Sequence, residues 1–316
     1  MKKLIVLIII CSFLVSCGLN SNTPKSKYTK FDTSIENKDN IKYLDVAKTG
    51  DNVSYSILNQ EGEVETGFTY YLKENSLEKF INIANFIDTD MEYTLLTFVN
   101  FKQVNYEVED ETYNSFTALI AQNSDIQIPI KINNLNAGIN DIIFLIILNP
   151  NKNLPKSSDN IKFEDVLYLR CNAIFGDDKI IKEYEYTDVS LVNGAERPVL
   201  LQEKSNNSMF ELTSYDQELN KSKEAIISVG NRQETEEEYA VILLADWKPV
   251  PISKENVIYI KLDAKSTGLI PINISFDEAG LHKIVAIAIK KPYHYEDFRS
   301  IDVASSQWVI ANALEP

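Results

Sequence analysis

Along most of the chain, short runs of β-branched, aliphatic and aromatic residues alternate with polar turns. Between positions 53 and 175 the runs fall at 53–58, 66–73, 79–86, 93–101, 114–121, 126–132, 141–148 and 166–175. Further on they fall at 225–229, 239–247, 257–262, 269–275, 283–289 and 306–310. Runs of this length, separated by turn-forming residues, predict the strands of an all-β sandwich. Only residues 75–86 carry apolar positions at a spacing that also suits a helix.

The pattern occurs twice. Residues 80–104 align without a gap on 226–250 with seven identities, among them Tyr93/Tyr239, Lys102/Lys248 and Val104/Val250. Residues 128–150 align on 270–292 with nine identities, including an Ile-Pro-Ile at 128 and 270, Ala-Gly at 137 and 279, and Pro150/Pro292. The offset falls from 146 to 142 between the blocks, so the first copy carries four extra residues in the intervening loop, the usual place for insertions in a repeated unit. Val53 and Val199 share the 146 offset and mark the expected starts of the copies. Tyr168–Ala173 faces Trp308–Ala313 near their ends. The repeat also decides the ambiguous stretch at 75–86, because its counterpart contains Ile226-Ile227-Ser228-Val229-Gly230, which reads as a strand. Residues 183–197 would join the copies, with Asn193-Gly194 at a turn.

The passage Asp277-Glu278-Ala279-Gly280-Leu281-His282-Lys283-Ile284-Val285-Ala286-Ile287 resembles the E–F corner and strand F of immunoglobulin-like sandwiches. That resemblance implies two tandem immunoglobulin-like antiparallel β-sandwiches. His282, and Asn140 in the first copy, occupy the place of the family's corner tyrosine, and each offers a polar substitute for its hydroxyl. The paired cysteines and strand C tryptophan of antibody domains have no counterpart here. Trp247 ends a long central strand, opposite Phe101 in the other copy, and is expected to plug one end of a core.

Residues 1–17 read MKKLIVLIIICSFLVSC. Two lysines precede an apolar run too short to span a bilayer comfortably, which is the form of an export signal. The closing Leu14-Val15-Ser16-Cys17 resembles the lipobox of bacterial lipoproteins. The resemblance implies cleavage before Cys17, its lipidation, and attachment to the extracytoplasmic face of a bacterial membrane through acyl chains. Residues 17–52, rich in Asn, Ser, Lys and Asp, then form a flexible tether that would hold the folded part on the order of 30 Å from the bilayer. The expected organisation is signal 1–16, tether 17–52, first sandwich 53–185 and second sandwich 186–316.

Charge and cysteines narrow the chemistry. Loss of residues 1–16 leaves 29 basic against 46 acidic side chains, a formal charge of −17, which disfavours nucleic acid and anionic headgroups as partners. With Cys11 in the signal and Cys17 lipidated, Cys171 alone remains. No intramolecular disulfide or cysteine-based zinc site can then form, and Cys171, inside an apolar run, reads as a small core residue. The two histidines, His282 and His294, lie in no metal or nucleophile motif. His294 belongs to Pro292-Tyr293-His294-Tyr295-Glu296-Asp297-Phe298-Arg299, a loop after strand F whose counterpart 150–155 is polar and quite different past the shared proline. Tyr293, His294, Tyr295 and Phe298 are therefore candidates for a partner-binding loop, with aromatics packed on their own sandwich as the alternative. Glu234, Glu236 and Glu238, matched by Asp88, Asp90 and Glu92, crowd one turn and are calcium candidates by ligand type. The alternative is a solvated turn that blunts strand edges.

The reading that joins these features is a lipid-anchored, non-catalytic binding or scaffolding module at the cell envelope, without a cofactor, whose partner is an envelope protein or polysaccharide. One alternative is a substrate-capturing accessory lipoprotein of a transporter or enzyme, which calls for an apolar pocket between the domains. Another is a carboxylate-dependent hydrolase, which calls for two acids facing each other across a groove.

Overall fold

The computed structural model describes residues 29–30, 53–65, 67–150, 166–177, 183–205, 208–294 and 302–315. The described residues form strands and the turns that connect them. In chain order β1 (Thr29–Lys30) precedes the first copy, which contributes β2 (Val53–Leu58), β3 (Thr69–Leu72), β4 (Leu77–Asn85), β5 (Met91–Val99), β6 (Lys102–Gln103), β7 (Tyr106–Val108), β8 (Glu111–Tyr113), β9 (Ser115–Ile120), β10 (Ser124–Ile132), β11 (Gly138–Leu148) and β12 (Val166–Phe175). The second contributes β13 (Ser190–Asn193), β14 (Val199–Ser205), β15 (Ser208–Glu211), β16 (Ser214–Glu218), β17 (Lys223–Gly230), β18 (Glu237–Ala245), β19 (Lys248–Val250), β20 (Ile258–Leu262), β21 (Ser266–Ile274), β22 (Gly280–Lys290), β23 (Val303–Ser305) and β24 (Val309–Leu314).

These strands build two sandwiches. In the first, a sheet ordered β2-β4-β10-β7-β8 packs on one ordered β3-β12-β11-β5-β6, with Ile81, Ile128, Phe144 and Cys171 in the core between them. In the second, β13-β21-β17-β14-β15 packs on β16-β24-β22-β18-β19, around Leu201, Ile227, Ile272 and Ile284. Pairing is antiparallel except at two edges, where β3 runs parallel to β12 and β16 parallel to β24. The repetition extends to this exception. β4, β5, β10 and β11 correspond to β17, β18, β21 and β22, and β4 is a strand, as its counterpart implied.

Strand pairing corrects one detail of the repeat. Ile57 lies opposite Ile81 in the first copy, and Leu201 lies opposite the equivalent Ile227 in the second. An offset of 146 would instead put Glu203 in the place of Ile57, but Glu203 lies opposite Phe210. The first strand of the second copy is thus shifted by two residues, and Val53 and Val199 are not structural equivalents. The four extra residues of the first copy fall in the β7–β8 hairpin, which extends one sheet beyond β10. Ahead of residue 53, Thr29 and Lys30 pair with Asp125 and Ser124 at the edge of the first sandwich.

Burial explains why some runs are continuous and others alternate. Every residue of β11 is buried, as are six of nine in β5 and seven of nine in β18, whereas β10 and β21 alternate between core and surface. A strand covered on one face needs apolar residues only at every second position; one covered on both needs them throughout. The second cover is the other sandwich. The outer faces of the β11 and β22 sheets pack on each other through Leu96, Phe98, Ile143 and Leu145 from one side and Ile242, Leu244, Val285 and Ile287 from the other. Four sheets are stacked, with three apolar layers between them.

Candidate functional site

The middle layer, between the sandwiches, gathers most of the chain's unusual side chains. Arg170 on β12 and Asp141 on β11 form a two-pronged ion pair, Nε to Oδ1 at 2.9 Å and Nη2 to Oδ2 at 2.6 Å, with side chains only 1% and 0% exposed. The guanidinium also donates to the carbonyls of Lys290 (2.7 Å) and Lys291 (2.9 Å) in the second sandwich, and Asp141 Oδ2 accepts the Tyr293 N–H at 3.1 Å. Arg170 and Asp141 are thereby satisfied by groups from both copies, as burial of charge requires. The seam has an approximate two-fold character. Lys283, the residue aligned with Asp141, reaches back to the Pro150 carbonyl of the first sandwich, so aligned positions grip aligned turns with side chains of opposite charge.

Aromatic rings fill the rest. The hairpin turns after β5 and β18 place Asn100-Phe101 and Asp246-Trp247 at positive φ (52° and 64°, 47° and 65°), the two-residue geometry that matches strand twist. Phe101 meets Tyr259 and Tyr293 edge-on at 5.9 and 5.3 Å. Trp247 meets Trp308 at 5.0 Å. Both therefore close the layer between sandwiches rather than the end of either core. Tyr184, from the connection between copies, stacks on Tyr259 at 4.2 Å and donates its hydroxyl to Glu238 at 2.9 Å.

This placement decides much about the candidate loop. Tyr293 is 2% exposed and belongs to the seam, so its ring is not available to a partner. The packing alternative holds for it, with the ring lying between the copies rather than on its own sandwich. His294 stays at the surface, 3.7 Å from Glu238, while Tyr295 and Phe298 lie outside the described residues, as does Cys17. Each calcium candidate meets another partner. Glu234 pairs with Lys265 at 2.9 Å, Glu236 with Lys261 at 2.7 Å, and Glu238 with Tyr184. Burial alone would raise the Glu238 carboxyl, but the Tyr186 and Tyr184 hydroxyls and the nearby His294 outweigh it and hold it below the usual range.

The corner positions carry equivalent networks built from different residues. Asn140 Nδ2 donates to the Asn136 carbonyl at 2.8 Å, and His282 Nε2 lies 2.9 Å from the Glu278 carbonyl, in each case four residues back. Asn100 bonds Asn140 at 3.1 Å, and Asp246 bonds His282 Nδ1 at 2.6 Å. Burial lowers the His282 pKa, but the Asp246 and Glu278 contacts outweigh it, and the ring titrates above its ordinary value. Cys171 is fully buried, which pushes its thiol far up and out of nucleophilic range.

Arg170, Asp141 and Tyr184 belong to no motif and were not among the expected site residues. The signal available for the first two was a charge set inside or beside an apolar run, at 166–175 and 141–148. The aligned pair Asn85/Asn231 carried no such signal. Each is a buried amide that reaches three backbone carbonyls, one in the turn that follows it and two at the end of β9 or β20.

No family model matches this sequence, and no curated protein matches it. Among solved structures it is similar to the C-terminal domain of the Streptococcus agalactiae AgI/II polypeptide BspA, at 8% identity over 83% of this chain and 100% of that one, with a TM-score of 0.23. It is similar to the YadV chaperone at 10% identity over 81% and 100%, TM-score 0.24, and to a red sea bream transglutaminase at 6% identity over 90% of this chain, TM-score 0.24. The chain spans about a third of that transglutaminase, 34% of its length.

Proposed function

We propose that this chain is a lipoprotein attached through Cys17 to the extracytoplasmic face of a bacterial membrane, where two fused sandwiches act as a rigid, non-catalytic binding or scaffolding module for an envelope protein or polysaccharide. The observation that carries the reading is the filled seam. Among the described residues, the charged and aromatic side chains that meet between the sandwiches are committed there to structure: Arg170 to Asp141, Tyr293 to Phe101 and Tyr259, and Tyr184 to Glu238. His282 and Cys171 are likewise held by a backbone corner and a core. A capture protein with its ligand between lobes needs space where this chain has an apolar layer. Stacked sheets joined over such a layer hold a fixed spacing, which suits display.

The test is crosslinking on intact cells, comparing the chain with its Cys17→Ser variant. Membrane retention that depends on Cys17, together with a saturable crosslinked partner, is the expected result. Retention unchanged by the substitution would defeat the anchor, and turnover of an envelope polymer by the purified chain would defeat the non-catalytic reading.

A further inference from the structure

The duplication supplies an internal control for a groove in the second sandwich. In the first copy Tyr93, Ile146 and Leu148 belong to one buried core, and Phe86 is buried as well. The aligned residues of the second copy are Arg232, Ala288 and Lys290, beside Tyr239. Two buried apolar side chains have become cationic and a third has been cut to alanine. What remains is a cavity of about 350 Å³ lined by Arg232, Gln233, Tyr239, Lys290 and Asp302 among others, within the size range of small-molecule sites. Gly230 forms part of the wall, where a Cβ would come within 2.4 Å of the Arg197 carbonyl. The backbone is pressed close there and keeps the wall in place.

The polar groups differ in the same sense. In the first copy the Tyr93 hydroxyl is spent on Asn85 Oδ1 at 3.2 Å. The Tyr239 hydroxyl makes no such bond to a described residue. Burial, with Glu237 and Asp302 nearby, raises its pKa, so it remains a donor at neutral pH. Lys290 is matched by Glu237 at 3.3 Å. Arg232, one of four arginines in the chain, is exposed and has no carboxylate partner among the described residues. In so acidic a molecule, a guanidinium that lines a groove without an ion pair to a described residue calls for an anion, and its planar fork suits a carboxylate.

We propose that this groove binds a small carboxylate-bearing polar molecule, the size of one uronic acid or one amino acid, with the carboxylate on Arg232 and its hydroxyl or amino groups toward Tyr239 and Asp302. The inference rests on the reading of the chain as a binding module and names the ligand chemistry of one of its sites.

Calorimetric titration of the full chain in detergent with D-glucuronate, L-glutamate and neutral D-glucose tests it. One of the two acids should bind saturably and glucose should not; glucuronate alone would identify a sugar site, glutamate alone an amino-acid site. Arg232→Ala should weaken binding about ten-fold or more, the loss of a charge-assisted contact. The triple variant Glu237→Met/Ala288→Ile/Lys290→Leu restores the first copy's residues and should abolish binding at an unchanged or higher thermal midpoint. Should the triple variant fail to fold, the exposed Arg232→Ala decides alone. Absence of binding by both acids, equal binding of glucose, or unaltered affinity in Arg232→Ala would overturn the proposal. Crosslinking to cells by the Arg232→Ala chain separates the two readings: capture preserved while no acid binds would sink the groove and leave the module standing.

Discussion

The inner and outer sheets of this molecule are made from the same repeated template, yet they are constrained differently. In β10 and β21 one face meets the core and the other meets water, so polar substitutions at alternate positions are tolerated. In β5, β11, β18 and β22 both faces are covered; the middles of β11, β18 and β22 have lost their polar positions, and β5 keeps only Thr94 and Thr97, both buried. The seam is therefore a third core. A linker between independent domains would leave two solvated faces; here the facing surfaces are buried and largely apolar.

The largest expected effect comes from the seam's buried charges. Asp141→Ala leaves Arg170 without its counterion in an apolar layer and should cost about 3 to 5 kcal/mol. Urea unfolding measures it, and a cost below about 1 kcal/mol would mean that the seam opens to water. Tyr293→Ala removes a buried ring that touches Phe101 and should cost about 3 kcal/mol. The adjacent His294→Ala, at the surface, should stay within about 0.5 kcal/mol. Equal effects at these neighbouring positions would contradict the division of the loop into a packed and an exposed part. Gln127→Ala on the outer face of β10 should likewise change stability by no more than about 0.5 kcal/mol.

Much of this architecture was legible in the sequence. The strand runs and their repetition located the sandwiches, because apolar spacing reports which faces are covered. The stretch Ile142-Ile143-Phe144-Leu145-Ile146-Ile147-Leu148 also held the signal for the seam. Antiparallel strands with one wet face alternate, so seven apolar residues in succession imply a cover on both sides. What no local pattern could supply was the pairing across the seam. Arg170 and Asp141 are 29 positions apart, and their backbone partners at Lys290, Lys291 and Tyr293 belong to the other copy. At Tyr293 the letter alone does not tell an exposed tyrosine from a buried one, and the docking of one sandwich on the other decides it.

The smallest change expected to be measurable compares the two corners. Asn100 and Asn140 cannot titrate, whereas Asp246 and His282 can, and the contacts of His282 raise its pKa above the ordinary value of about 6.5. A group protonated more readily in the folded than in the unfolded chain stabilises the fold most where both forms of the chain are protonated, below about pH 6.5. That contribution is lost as pH rises through the higher folded value. Because Asp246 is nearly half exposed, water screens the pair, and the effect should be about 0.5 kcal/mol or less. The double variant Asp246→Asn/His282→Asn, which copies the first corner into the second, should flatten the fall in stability as pH rises above about 6.5. A profile with the same slope in both proteins would assign the dependence to other groups, and the two corners would then differ in composition without differing in behaviour.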